Sequence, residues 1–90
     1  MFVRRLTWDA WNVRHIARHG VLPPEVEDVC QGPCITREAY AGRIMLIGPT
    51  RSGRILAAVL EPQEEQGVYY VVTARSASRR ERRLYQQESR

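Results

Sequence analysis

The pattern of apolar and polar positions changes period twice along the chain. From Ala10 to Ala17 the spacing is helical: Ala10, Val13, Ile16 and Ala17 fill one arc, and Asn12, Arg14, His15, Arg18 and His19 the other. Asp9 suits the N-cap, where a carboxylate accepts from the free amides of the first turn. The helix is expected to reach Arg18 or His19, and Gly20 then stands where a left-handed residue ends a helix, folding Val21 back on Ile16. Trp11 falls on the polar arc beside Arg18, so its ring is expected to pack on another element or meet a partner. Pro23 and Pro24 are tolerated at the start of a second helix, in which Leu22, Val26, Val29 and Cys30 form an apolar stripe. Glu25, Glu27 and Asp28 occupy its early turns, where the helix dipole favours them. Gly32-Pro33 ends it.

Strand-like stretches follow. Cys34–Tyr40 passes through Ala41-Gly42 into Arg43–Gly48, and the turn Thr50-Arg51-Ser52-Gly53 returns the chain as Arg54–Glu61. A polar turn from Gln63 to Gly67 precedes Val68–Ala74, the most β-branched and aromatic run, expected as a central strand. Arg4–Trp8 reads as a short strand before the first helix. Ser78 with Glu81 three residues on is a capping box. It starts a final helix whose Glu81, Leu84, Tyr85 and Glu88 share a face away from Arg79, Arg82 and Arg83. The expected fold is α+β: one small domain over residues 1–90, two N-terminal helices, an antiparallel sheet of three to four strands and a C-terminal helix.

Ninety residues leave room for one core, and a chain this short buries only about 60–65% of its unfolded surface. A partner or a dimer interface is therefore expected to add stability. Two cysteines make no disulfide framework, no secretory leader is evident, and no apolar run approaches the ~20 residues that span a bilayer. A reducing cytoplasm is the expected compartment.

Charge changes the picture more. All fourteen basic residues are Arg, which genome composition explains; their distribution it does not. Residues 1–74 hold eight Arg against eight carboxylates, whereas residues 75–90 hold six Arg against Glu81 and Glu88. The net charge of +4 thus lies entirely in the C-terminal segment, a pattern that suits a polyanion such as RNA. A solvated helix face is the plainer alternative.

Three groups of residues resemble one family. Trp8-Asp9, Asn12 and His19-Gly20-Val21 are similar to the opening of BrnT-type toxins. Gly42-Arg43 and Gly53-Arg54 resemble the Gly-Arg pairs that start that family's middle strands. Thr73-Ala74-Arg75-Ser76-Ala77-Ser78, with Glu81, Arg82 and Tyr85, is similar to its closing signature. Together they span residues 7 to 85 in the right order. Leu22 departs from the usual Thr or Ser, and Thr73 from the usual Ser. The resemblance implies a RelE-like fold and a type II toxin that cleaves RNA without metal. It also implies neutralisation by a BrnA-type antitoxin with a ribbon-helix-helix domain; the expected assembly is a dimer or a toxin–antitoxin hetero-oligomer. The alternative is a non-catalytic module that binds nucleic acid or protein through the Arg-rich helix.

Metal-free RNA cleavage needs a base for the 2′-hydroxyl, an acid for the leaving 5′-oxygen and cations for the phosphorane. Arg75, between a strand and a helix cap, is the first candidate for the cationic role, because a guanidinium fork matches two phosphate oxygens; a salt bridge to Glu81 is its structural alternative. Arg79, in the first helical turn, opposes the dipole and is the second candidate. His19 is the acid–base candidate, since an imidazole titrates at about 6.5; capping the helix C-terminus is its other reading. Arg54, Arg80, Arg82 and Arg83 are expected RNA contacts. Tyr85 either stacks on a base or anchors the last helix. His15 and His19 have the spacing of two metal ligands, but no Cys or carboxylate completes a zinc set; neither metal nor cofactor is expected.

Overall fold

The computed structural model describes residues 2–89. Among these the chain forms strand β1 (Arg5–Thr7) and helices α1 (Ala10–Ala17) and α2 (Pro23–Gln31). Strands β2 (Ile35–Glu38), β3 (Ile44–Pro49), β4 (Ile55–Pro62) and β5 (Val68–Ser76) follow, and helix α3 (Arg79–Glu88) closes the fold. The strands make one sheet in the order β1-β5-β4-β3-β2.

This sheet is larger than the antiparallel one of three to four strands read from the sequence. β2 to β5 pair antiparallel as expected, but β1 adds a fifth strand parallel to β5, with Leu6 opposite Tyr69. Parallel neighbours need a long crossover, and here residues 8–67 intervene, so no local turn signal announces the pair. The first strand is fixed by the buried Leu6 and by the Arg4 and Arg5 amides, which both donate to the Gly67 carbonyl.

The sheet carries α1 and α2 on one face and α3 on the other. Leu46, Ala58 and Ala74, aligned across β3, β4 and β5, pack with Ile16, Val21, Val26 and Val29. On the opposite face Ile47 and Ala57 pack with Ala77 and Tyr85. A bulge in β5 sets Thr73 opposite Val59 and Val71 opposite Leu60, leaving Val72 over; such an extra residue bends the strand and re-aims its side chains.

Two faces assigned by periodicity need correction. Asn12, placed on the polar arc of α1, is fully buried, whereas Val13 is 37% exposed. The reason is β1's shortness: it ends opposite Tyr70, leaving the β5 edge beyond without a strand. Asn12 lies against that edge, its Nδ2 donating to Thr7 O at 3.0 Å and Val71 O at 3.1 Å. Its Oδ1 accepts from Asp9 N, while the Asp9 carboxylate accepts from Asn12 N, each at 2.9 Å, which closes a capping box. An inward polar residue here satisfies backbone groups that an apolar one would strand. Leu22 is likewise 61% exposed, outside the stripe of Val26 and Val29. It is the N-cap of α2, in extended conformation, so helical spacing does not apply to it.

Other expectations hold. Gly20 adopts φ +70° and lets Val21 N donate to Ile16 O, with both Val21 and Ile16 fully buried. Ser78 caps α3 and closes a capping box with Glu81.

Candidate functional site

Trp11 and His15 on the outer face of α1, with His19 in the turn just past its end, present three rings at four-residue spacing. Trp11 stacks on His15 with ring centroids 4.8 Å apart and planes within 7°. His15 meets His19 edge-on at 5.4 Å. Spacing of four residues brings side chains above one another on a helix, so the ladder follows directly from the sequence. His15 is also tied to the sheet: its Nε2 lies 3.0 Å from Thr73 Oγ1, a side chain next to the β5 bulge. That hydroxyl can donate to the bare nitrogen or accept from the protonated one, so it holds the ring in either state.

Arg54 secures the foot of this ladder. The turn ending at Gly53, with φ +88°, delivers Arg54 to the start of β4, facing the end of α1. Its Nη1 donates to Gly20 O at 2.8 Å and toward the Glu25 carboxylate at 3.4 Å. Nη2 reaches Ser76 Oγ at 2.9 Å and His19 O at 3.4 Å, and Nε reaches Ser76 Oγ at 3.3 Å. A guanidinium has five N–H groups, and these contacts occupy them all. Arg54, expected as an RNA contact, thus sits as a connector that supplies the carbonyls ending α1 with donors and fixes His19 relative to β5. Glu25 also accepts from Leu22 N at 3.0 Å, the glutamate half of a capping box, while the half that a hydroxyl at position 22 would supply is missing.

Arg75 is paired with Glu81, at 2.6 Å from Nη1 to Oε1 and 2.9 Å from Nη2 to Oε2. Hydrogen bonding to Arg75, ahead of the Ser78 amide, holds the Glu81 carboxyl down at about 2, and the same pairing raises the Arg75 guanidinium. A further Nη1 bond reaches Ser76 O at 3.3 Å, so two of the five donors, one on Nη2 and the one on Nε, have no protein acceptor among the described residues. The Arg75 side chain keeps 41% exposure. At the far end of α3, Glu88 pairs with Arg37 of β2. Between them Tyr85 donates to Pro33 O at 2.8 Å and packs against the Ile47 and Ala57 cluster, which is the anchoring geometry.

The remaining arginines of α3 face solvent. Among the described residues Arg79, Arg80 and Arg83 make no ion pair, and Arg82 donates to Ala77 O at 3.1 Å. His19, Arg54, Ser76 and Arg75 are neighbours in sequence or by hydrogen bond, but among the described residues no hydrogen bond joins the His19 ring to Arg75 or Arg79. The sequence reading passed over Trp11, His15 and Thr73 as one unit. The Trp11-x-x-x-His15-x-x-x-His19 spacing was the available signal. Among the described residues no cluster of three or more His, Cys, Asp or Glu side chains is disposed to hold a metal ion, and no helix is long and apolar enough to cross a membrane.

No protein-family model and no curated protein matches the sequence. Among solved structures, the BrnT ribonuclease toxin of Brucella abortus superposes with a TM-score of 0.67 at 26% identity. The match covers 83% of this chain and 97% of that one. The chain is therefore similar to a BrnT-type toxin in fold as well as in its motifs.

Proposed function

We propose that this chain is a toxin endoribonuclease that cleaves RNA without metal, through the imidazoles of His15 and His19 and the arginines around the β5–α3 junction. The observation that carries the reading is the pair of half-buried His15 and exposed His19, tied to β5 through Thr73 at the His15 ring and through Arg54 at the His19 carbonyl, in a fold like that of a ribonuclease toxin. An imidazole, His19 first, takes the proton of a 2′-hydroxyl, whose oxygen attacks phosphorus. The bond to the 5′-oxygen breaks, and an acid returns a proton to that oxygen. The products are a 2′,3′-cyclic phosphate and a free 5′-hydroxyl. Arg75 offers its two remaining donors to the phosphorane, and Arg79, Arg80, Arg82 and Arg83 draw in the strand from the solvent side of α3.

Two variants test the assignment. His19→Ala is expected to slow cleavage about 10²–10⁴-fold, the usual worth of a general acid or base. Arg75→Lys keeps a cation beside Glu81 but loses the fork, and is expected to cleave at least ten-fold more slowly while still folding cooperatively, with a melting loss smaller than that of removing the charge. Full activity in both would remove these residues from the mechanism. A second reading, a non-catalytic RNA-binding module, is favoured by the engagement of the Arg54 and Arg75 forks within the protein. It predicts retained RNA affinity with no cleavage under any condition.

The proposed partner is an antitoxin of the BrnA type carrying a ribbon-helix-helix domain. Acidic residues on it would face Arg79, Arg80 and Arg83, so raised salt should weaken association. Finding a gene for a short ribbon-helix-helix protein beside this one would support the pairing, and its absence would count against it.

A further inference from the structure

Trp11 presents an unusual surface. Its ring is 59% exposed, yet it is held still from beneath by the parallel His15 ring at 4.8 Å. His15 is itself pinned by Thr73 and flanked by His19. A fixed ring with an open face differs from a loose surface aromatic: its orientation is settled before anything binds. Arg14 and Arg18, one turn apart on the same helix, line a shallow depression of about 100 Å³ together with Trp11 and His15. Among the described residues neither arginine makes an ion pair, and α1 carries no carboxylate.

We infer that Trp11 is a stacking platform for one unpaired nucleobase, with Arg14 and Arg18 taking the phosphates on either side of it. The inference rests on the RNA reading of the site and adds a binding subsite to it, on residues outside the proposed cleavage machinery. A flat ring with a free face matches the π-face that every base offers once unstacked, and guanidiniums alongside match the backbone that must follow it. An acidic protein segment would satisfy the arginines but leave the ring face bare. A duplex hides its base faces, so the platform selects single-stranded over paired RNA. Stacking reads no base edge, so it tolerates sequence and positions the strand rather than choosing a base. Nor does it need the 2′-hydroxyl, so binding here is separable from cleavage.

That separation defines the experiment. The chain has two tryptophans, and Trp8 is tied to Glu27 by a 3.0 Å hydrogen bond; a Trp8→Phe background therefore makes Trp11 the sole indole reporter. The probe is a non-cleavable 2′-O-methyl oligonucleotide of about ten nucleotides, single-stranded or annealed to its complement. Quenching of Trp11 fluorescence is expected with the single strand and not with the duplex. Trp11→Ala, tested in the native background by fluorescence anisotropy of the labelled probe, should weaken binding about ten-fold, with Trp11→Phe losing less. Arg14→Gln with Arg18→Gln should flatten the dependence of log affinity on log salt by about 1.4, the value for two phosphates of a single strand. Unchanged probe affinity in Trp11→Ala would overturn the platform, whether or not RNA is cleaved. Quenching by an acidic partner protein but not by the oligonucleotide would reassign the surface to protein docking. Trp11-dependent binding in a protein that cleaves nothing would leave the platform standing and remove the enzyme.

Discussion

Replacing Glu81 with Gln separates the structural and chemical roles of Arg75. The Glu81 carboxyl sits at about 2 against an ordinary 4.5, which corresponds to at most about 3.4 kcal/mol. Arg75 is 41% exposed, so solvent screening reduces the contribution to about 1–2 kcal/mol. Because the folded value lies below the unfolded one, this stability is fully present above pH 4.5 and is lost as pH falls toward 2. Gln keeps an oxygen for the Ser78 amide, so the cap survives, while the charge and the second oxygen that accepts from Arg75 Nη2 are removed. Urea or thermal denaturation at neutral pH should show the variant about 1–2 kcal/mol less stable, a fall in melting temperature of about 5–15 °C for a domain of this size. At pH ~3 the gap should narrow. The variant frees Arg75, so RNA cleavage should hold steady or rise. A stability loss equal at both pH values would refute the ion-pair explanation. A cleavage loss as deep as that of Arg75→Lys would show that the pair itself, and not the free guanidinium, is what the reaction needs.

Asn12→Ala strips partners from the Val71 and Thr7 carbonyls and the Asp9 amide. Chemical denaturation should register a loss of about 3–5 kcal/mol, and a change below about 1 kcal/mol would contradict the role given to this residue. In Gly48→Ala the new Cβ would stand 2.8 Å from Cys34 Cβ, an overlap that should cost about 1–3 kcal/mol in the same assay. Burial, followed by the negative charges of neighbouring Cys34 and Glu27, pushes the Cys30 thiol up to about 12 from 9.0. Its alkylation near pH 8 should therefore run about a thousand-fold slower in the folded than in the unfolded protein, with equal rates arguing against a shielded thiol.

How much of this was legible in the sequence depended on the range of the interaction. The α3 face of Glu81, Leu84, Tyr85 and Glu88 was readable because its capping box and periodicity are local, and Glu81, Tyr85 and Glu88 meet the sheet or its arginines. The Gly20 turn and the strands β2 to β5 were readable for the same reason. Asn12 was not, because its inward position is dictated by the open edge of β5, a partner 59 residues away. Arg54 was read as a surface contact because nothing local reveals that its turn delivers it to the carbonyls ending α1. The Trp11–His15–His19 ladder lay in plain view as a four-residue repeat, but its meaning required Thr73, brought beside it by the fold.

End-group analysis of RNA incubated with the purified protein and excess EDTA is the most direct measurement of metal-free, imidazole-driven cleavage. Fragments ending in 2′,3′-cyclic phosphate and beginning with a 5′-hydroxyl, formed by the native protein and lost in His19→Ala, are the predicted result. Cleavage that stops with EDTA, or fragments carrying a 3′-hydroxyl and a 5′-phosphate, would contradict it.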